Sequence, residues 1–120
     1  MNGIVAARQI LLNVTLRGDY VPDIAVEFVV DTGFVGELTL PVAAVDALGL
    51  PFLRDIPANL ADNSTIFVDV HQAKIIWHGE ERIVEVLAMG KHPLLGMLLL
   101  DGSAMNRQFA DGGLVSLDTL

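Results

Sequence analysis

The chain has 120 residues, 52% hydrophobic and 18% charged, with a net charge of −8. That length suits one domain spanning 1–120, and the apolar content excludes intrinsic disorder. The seven basic residues are scattered singly and cysteine is absent, which argues against nucleic acid and excludes disulfides and thiolate metal sites.

The pattern is mostly of period two. Met1–Ala6 has no charged segment leading into an apolar core, so no secretory signal is read. Ile10–Leu16 is rich in β-branched residues and ends at the turn formers Arg17-Gly18-Asp19. Ile24–Val30 is a second strand, fully apolar at Phe28-Val29-Val30, and runs straight into Asp31-Thr32-Gly33. Glu37–Leu40 forms a short strand. Pro41 opens a helix that Gly49 and Pro51 close, with Val42, Ala44, Val45 and Leu48 as its apolar stripe.

Ile56–Ala61 and Thr65–Ile76 flank Asp62-Asn63-Ser64, which predicts a hairpin tip. Ile66, Val68 and Val70 alternate with Phe67, Asp69 and His71, giving one apolar and one mixed face. His78-Gly79-Glu80-Glu81 is a turn, and Arg82–Ala88 returns as a strand. Gly90-Lys91-His92-Pro93 breaks the chain. Leu94–Leu100 then passes through Gly96 from a short strand into one or two helical turns. Met105–Phe109, a turn at Asp111-Gly112-Gly113 and the strand Leu114–Leu117 complete the chain. Turn signals every 8–12 residues or so predict a small all-β barrel or sandwich.

Most catalytic signatures are missing. None of the three Ser sits in a nucleophile elbow, and no two His stand four apart. No phosphate loop or dinucleotide fingerprint occurs, so neither metal nor cofactor is expected. Phe28–Gly36 is different. There an apolar strand delivers a carboxylate at its end, where apolar burial is expected to perturb its ionisation. Thr32 and Gly33 shape a tight loop around it. The remaining acids read more plainly. Asp101 and Asp111 are turn residues, and Glu80, Glu81, Glu85, Asp69 and His71 face solvent, as does His78. Trp77 packs against the barrel or an interface.

Leu94-Leu95-Gly96, followed by an apolar turn of helix, is the second segment of note. With Asp31-Thr32-Gly33 and the hairpin between them, it resembles the retropepsin-like aspartic proteases. Those subunits carry a hydrophobic stretch, Asp-Thr-Gly, a flap hairpin, and two hydrophobic residues with Gly before a short helix. Residues 31–41 look most like the small stand-alone prokaryotic members. The resemblance implies a small closed β-barrel of the acid-protease type with one or two short helices. It implies that Asp31 is the catalytic aspartate and that Thr32 braces two such loops across a dimer. Gly33 would let the loop turn, and Leu94, Leu95 and Gly96 would pack behind it. Asp62, Asn63 and Ser64 occupy the flap tip, and Phe34, Leu60, Ile66 and Leu95 are apolar candidates for substrate contact.

Two departures stand out. Phe34 replaces the Ala usual in viral enzymes, and the flap tip lacks their glycines, although Asn63 can adopt the left-handed conformation. A chain this short holds one Asp-Thr-Gly, so the chemistry needs a homodimer acting on a peptide. The surplus apolar surface fits that arrangement. A cytoplasmic site away from the membrane is expected. The other readings are a non-catalytic peptide-binding or dimerisation module of this fold, and an unrelated β-domain in a larger complex.

Overall fold

Alternation of apolar and polar residues makes this a chain of strands. The computed structural model describes residues 1–19 and 21–120. In chain order the elements are β1 (Asn2–Ala6), β2 (Gln9–Arg17), β3 (Ile24–Val30), β4 (Leu38–Leu40), α1 (Val42–Leu48) and β5 (Phe52–Asn59). They continue with β6 (Thr65–Trp77), β7 (Glu80–Ala88), β8 (Leu94–Leu95), α2 (Met97–Leu100), β9 (Ser103–Arg107) and β10 (Leu114–Thr119). The strands join in the order β5-β6-β7-β4-β8-β3-β2-β1-β10-β9, and β2 also pairs with β6. That last pairing, Thr15 opposite Ile76 and Leu16 opposite Ile75, closes a ring of strands into a barrel. The barrel is irregular, because β3–β8 and β4–β7 run parallel while the other pairs are antiparallel. The flap strand β5 extends the sheet on one side, and β1-β10-β9 extends it on the other.

The inward side chains of the ring form one core. Leu12, Val14, Phe28, Leu38, Ile75, Val86, Leu95 and Leu99 are all completely or almost completely buried in it. Trp77 belongs to this core, which settles its place in the barrel. The long strand β6 serves two layers. Val68 and Val70 are its buried residues near the flap, whereas Ala73, Ile75 and Trp77 are buried further along. The buried parity switches between Val70 and Ala73, so the strand turns its other face inward as it enters the barrel.

Several elements differ from the sequence reading. The strand β1 was not expected, and it is held between β2 and β10. The β1–β2 turn uses Ala7 and Arg8, both at positive φ, a conformation for which neither residue is a signal. Strand β5 starts at Phe52 rather than Ile56 and ends before Leu60 and Ala61, which belong to the tip. Helix α1 is only seven residues long. Its stripe lacks Val42, which is exposed, because Val45 alone is fully buried. Pro41 sits at the N-cap with extended ψ, and Gly49 ends the helix in the left-handed conformation. Among the described residues no helix is long and apolar enough to cross a membrane.

Phe28 is the largest completely buried side chain among the described residues and lies three residues before Asp31. Phe28→Ala is expected to lower unfolding free energy by about 3–5 kcal/mol, measured by urea denaturation. A loss below about 1 kcal/mol would mean that the barrel centre is not packed as described.

Candidate active site

The site begins where β3 leaves the barrel. Val29 and Val30 pair in parallel with Leu94 and Leu95, and β4 pairs with β8 from the other side. The two-residue strand β8 is therefore wedged between the strands that enter and leave the Asp31 loop. The Asp31 amide donates to the Leu95 carbonyl at 2.9 Å. The amides of Gly96, Met97 and Leu98 donate to the carbonyls of Glu37, Phe34 and Gly36 at 2.9, 2.8 and 3.2 Å. The Leu94 amide donates to the Thr39 hydroxyl at 3.2 Å, and Thr39 is the one buried polar residue among the described residues. Backbone bonds thus fix the loop along its length, independently of its side chains.

Within the loop, the Gly33 amide donates to Asp31 Oδ1 at 2.9 Å and the Phe34 amide to the Asp31 carbonyl at 3.2 Å. The carboxyl group is turned back over the loop and held in one direction. Gly33 does not have positive φ. Its lack of a side chain serves close approach instead, because a Cβ there would stand 3.2 Å from Asp31 Oδ1. Asp31 is half-buried, not enclosed as expected from its apolar strand, and Thr32 and Gly33 are exposed. A single chain leaves this loop open on the Thr32 side.

Phe34 packs across glycines. Its ring would be 2.6 Å from a Cβ at either Gly36 or Gly96, and a Cβ at Gly96 would also strike the Phe34 carbonyl at 2.6 Å and the Gly36 carbonyl. The ring is half-buried and serves to brace the loop. Leu94 is half-buried, and Leu95 and Gly96 are buried behind Asp31.

The hairpin β5–β6 occupies the place in the chain of the flap that the resemblance implies, with Asn59 opposite Thr65 before its tip. Asn63 has φ 65°. The Leu60 amide donates to the Ser64 carbonyl at 2.8 Å, and the Asn63 amide to the Leu60 carbonyl at 3.0 Å. The Ser64 amide and hydroxyl both reach Asp62 Oδ1, at 2.9 and 2.5 Å. These bonds hold the Asp62 carboxyl below the usual carboxylate range. Asn63 and the Asp62–Ser64 bonds replace the missing glycines. Leu60, Asp62, Asn63, Ser64 and Ile66 are all exposed. Ile66 shares the face of buried Val68, while Phe67, 73% exposed, points the other way.

Sequence reasoning missed several polar contacts, among them that of half-buried His71, whose Nδ1 lies 2.9 Å from the Leu50 carbonyl, which corrects its solvated reading. Asp69 lies directly opposite Asp55 across the flap strands. The facing carboxyl of Asp69, with which it can share a proton, raises the pKa of Asp55. Glu85 pairs with Arg54 through two bonds of 2.6 and 2.9 Å, so it is exposed but not merely solvated. His78 is half-buried and its Nε2 lies 2.8 Å from the Ser103 hydroxyl, which corrects the solvated reading. Each depends on which residues of different segments the fold brings opposite one another.

No family model and no curated protein matches the sequence. Among solved structures, the chain is similar to the crystal structure of a retropepsin-like aspartic protease from Rickettsia conorii. The superposition has a TM-score of 0.62 at 15% sequence identity and covers all of this chain and 91% of that one. The chain has the retropepsin-like fold. At that identity the likeness concerns the fold alone.

Two outcomes are expected. Gly96→Ala should cost about 1–3 kcal/mol of stability, because the new methyl meets two carbonyls that β8 holds in place; unchanged denaturation would refute that contact. The flap should also respond to pH. The raised Asp55 pKa means that its bond to Asp69 stabilises the flap below the ordinary carboxylate pKa and is lost as pH rises through the raised value. Amides of β5 and β6 should therefore exchange more slowly at about pH 4 than at about pH 7 after correction for intrinsic rates. Asp55→Asn should remove that difference, and its persistence would rule out the carboxyl pair as the cause.

Proposed function

We propose that the chain, as one domain over 1–120, is half of a homodimeric aspartic endopeptidase. The observation that carries this reading is the Asp31 loop. A carboxyl is held by the Gly33 amide at the mouth of a retropepsin-like barrel, braced from behind by Leu95 and open on the Thr32 side. Asp31 from each copy would supply the catalytic pair. Thr32 would brace the two loops against each other, and Leu94, Leu95 and Gly96 would support each loop.

Two carboxyls at one site cannot both ionise at ordinary cost, so one stays protonated beside its ionised partner. The ionised carboxylate takes a proton from a water held between them. That water attacks the peptide carbonyl carbon, and the protonated carboxyl donates to the developing oxyanion. The tetrahedral intermediate collapses, a proton passes to the leaving nitrogen, and the C–N bond breaks. A carboxylic acid and an amine leave, and the pair regains its single shared proton. The flap, with Leu60, Asp62, Asn63, Ser64 and Ile66, would cover the bound peptide, and Phe34 would bound the pocket from the loop side.

A diverse peptide library, incubated with the protein between about pH 4 and 7 and read by mass spectrometry, tests this. Cleavage is expected from the wild type, with at least about a thousandfold loss in Asp31→Asn at unchanged fold. Equal cleavage by both would refute the role of Asp31. Peptide binding without any turnover by the wild type would mark a binding module instead.

A further inference from the structure

Glu37 closes the Asp31 loop, one residue before β4 begins. Its side chain is 13% exposed, whereas the acids of the other ion pairs among the described residues are 45–60% exposed. Both of its carboxylate oxygens are engaged. The Glu85 amide donates to Oε1 at 2.9 Å, and Arg82 Nη2 donates to Oε2 at 3.2 Å. The carboxylate of Glu85 is itself held by Arg54. It is therefore the backbone of Glu85, not its charge, that meets Glu37.

The Glu85 amide has a particular place in the sheet. Strands β4 and β7 run parallel, with Leu38 beside Val86 and Leu40 beside Ala88. The Met89 amide donates to the Leu40 carbonyl at 2.9 Å. In a parallel pair such bonds recur at every second residue, so the Leu87 amide falls to Leu38 and the Glu85 amide to Gly36. The Gly36 carbonyl, however, is taken by the Leu98 amide at 3.2 Å. The ladder thus lacks its next rung, and the Glu37 carboxylate supplies the acceptor in its place. Residues 34–37 are then held from two sides. Gly96, Met97 and Leu98 bind their carbonyls from behind, and Glu85 and Arg82 bind the Glu37 side chain from β7.

We propose that Glu37 is a positioning residue for Asp31. Its carboxylate replaces the missing β4–β7 rung and so fixes the far end of the Asp31 loop against β7. Arg82 offsets the cost of placing a charge where water reaches it poorly. The role rests on the reading of Asp31 as one of a reacting pair, and it adds a residue that acts through the loop backbone rather than on substrate. Asp31 and Glu37 are the two ends of one loop, so freeing one end displaces the carboxyl at the other. Displacing a reacting group by about 1 Å can cost about a hundredfold in rate.

Glu37→Gln tests the role, because glutamine keeps the shape but offers one acceptor oxygen to two donors. Peptide cleavage, amide exchange and the carbon-13 signal of the Asp31 carboxyl are read on the full chain, well below its unfolding temperature. The variant should lower kcat at least about tenfold with KM within about twofold. The Glu85 amide should exchange at least about tenfold faster, and the Asp31 signal should shift. Arg82→Met, which leaves the rung but removes the cation, should lower kcat at least about threefold and shift the same signal. It decides the matter alone if Glu37→Gln does not fold. A folded variant with lowered stability but unchanged kcat, KM and Asp31 signal would overturn the positioning role and leave the peptidase standing. A wild type that cleaves no peptide would overturn the peptidase reading instead. The Asp31 signal needs no turnover, so it still decides whether Glu37 orients that carboxyl.

Discussion

The structure depends on one arrangement of backbone: a two-residue strand wedged between the strands on either side of the Asp31 loop. Leu94 and Leu95 pair with Val29 and Val30 on one side and with Leu38 and Thr39 on the other. The Leu95 carbonyl takes the Asp31 amide, and the next three amides bind carbonyls of the loop itself. Such bonds are individually modest, but a buried amide left without its acceptor is costly. The loop cannot move without breaking several at once. This is why Gly96 has room for no side chain, and the Phe34 ring packs against the same glycine and against Gly36.

Rigidity behind the loop contrasts with exposure in front of it. Asp31 is half-buried, and Thr32 and the flap tip stand in solvent. A carboxyl fixed by its own loop amide but lacking an enclosing wall is suited to share its site with a second body. The β5–β6 hairpin carries hydrogen bonds that respond to protons in opposite senses. The Asp62–Ser64 bonds favour the ionised carboxylate, while the Asp55–Asp69 contact needs a proton. Tip and arm are thus stabilised at opposite ends of the acidic range, and both contacts hold only where one carboxyl is ionised and the other protonated.

Much of this was legible in the residues, and the parts that were not share a cause. The apolar run Phe28-Val29-Val30 into Asp31, the turn at Asp62-Asn63-Ser64 and the Leu94-Leu95-Gly96 step are local patterns. Local chemistry decides such features, so strand, tip and wedge fall where the pattern puts them. Strand β1 escaped notice because its turn uses Ala7 and Arg8, which carry no turn signal, and because pairing on both edges overrides weak propensity. The inward switch of β6, the facing of Asp55 and Asp69, and the His78–Ser103 bond all depend on register between distant segments. That the Phe34 ring packs against Gly36 and Gly96 was not legible either, because its sequence position says nothing about those two glycines.

The central claim is that Asp31 belongs to a pair. Carbon-13 labelling of the aspartates, with the Asp31 carboxyl followed by NMR as pH is varied on the assembled protein, tests this most directly. A symmetric pair sharing one proton must titrate in two steps separated by more than about one pH unit, although only one residue is observed. A single step would show that the two carboxyls do not meet and would contradict the account.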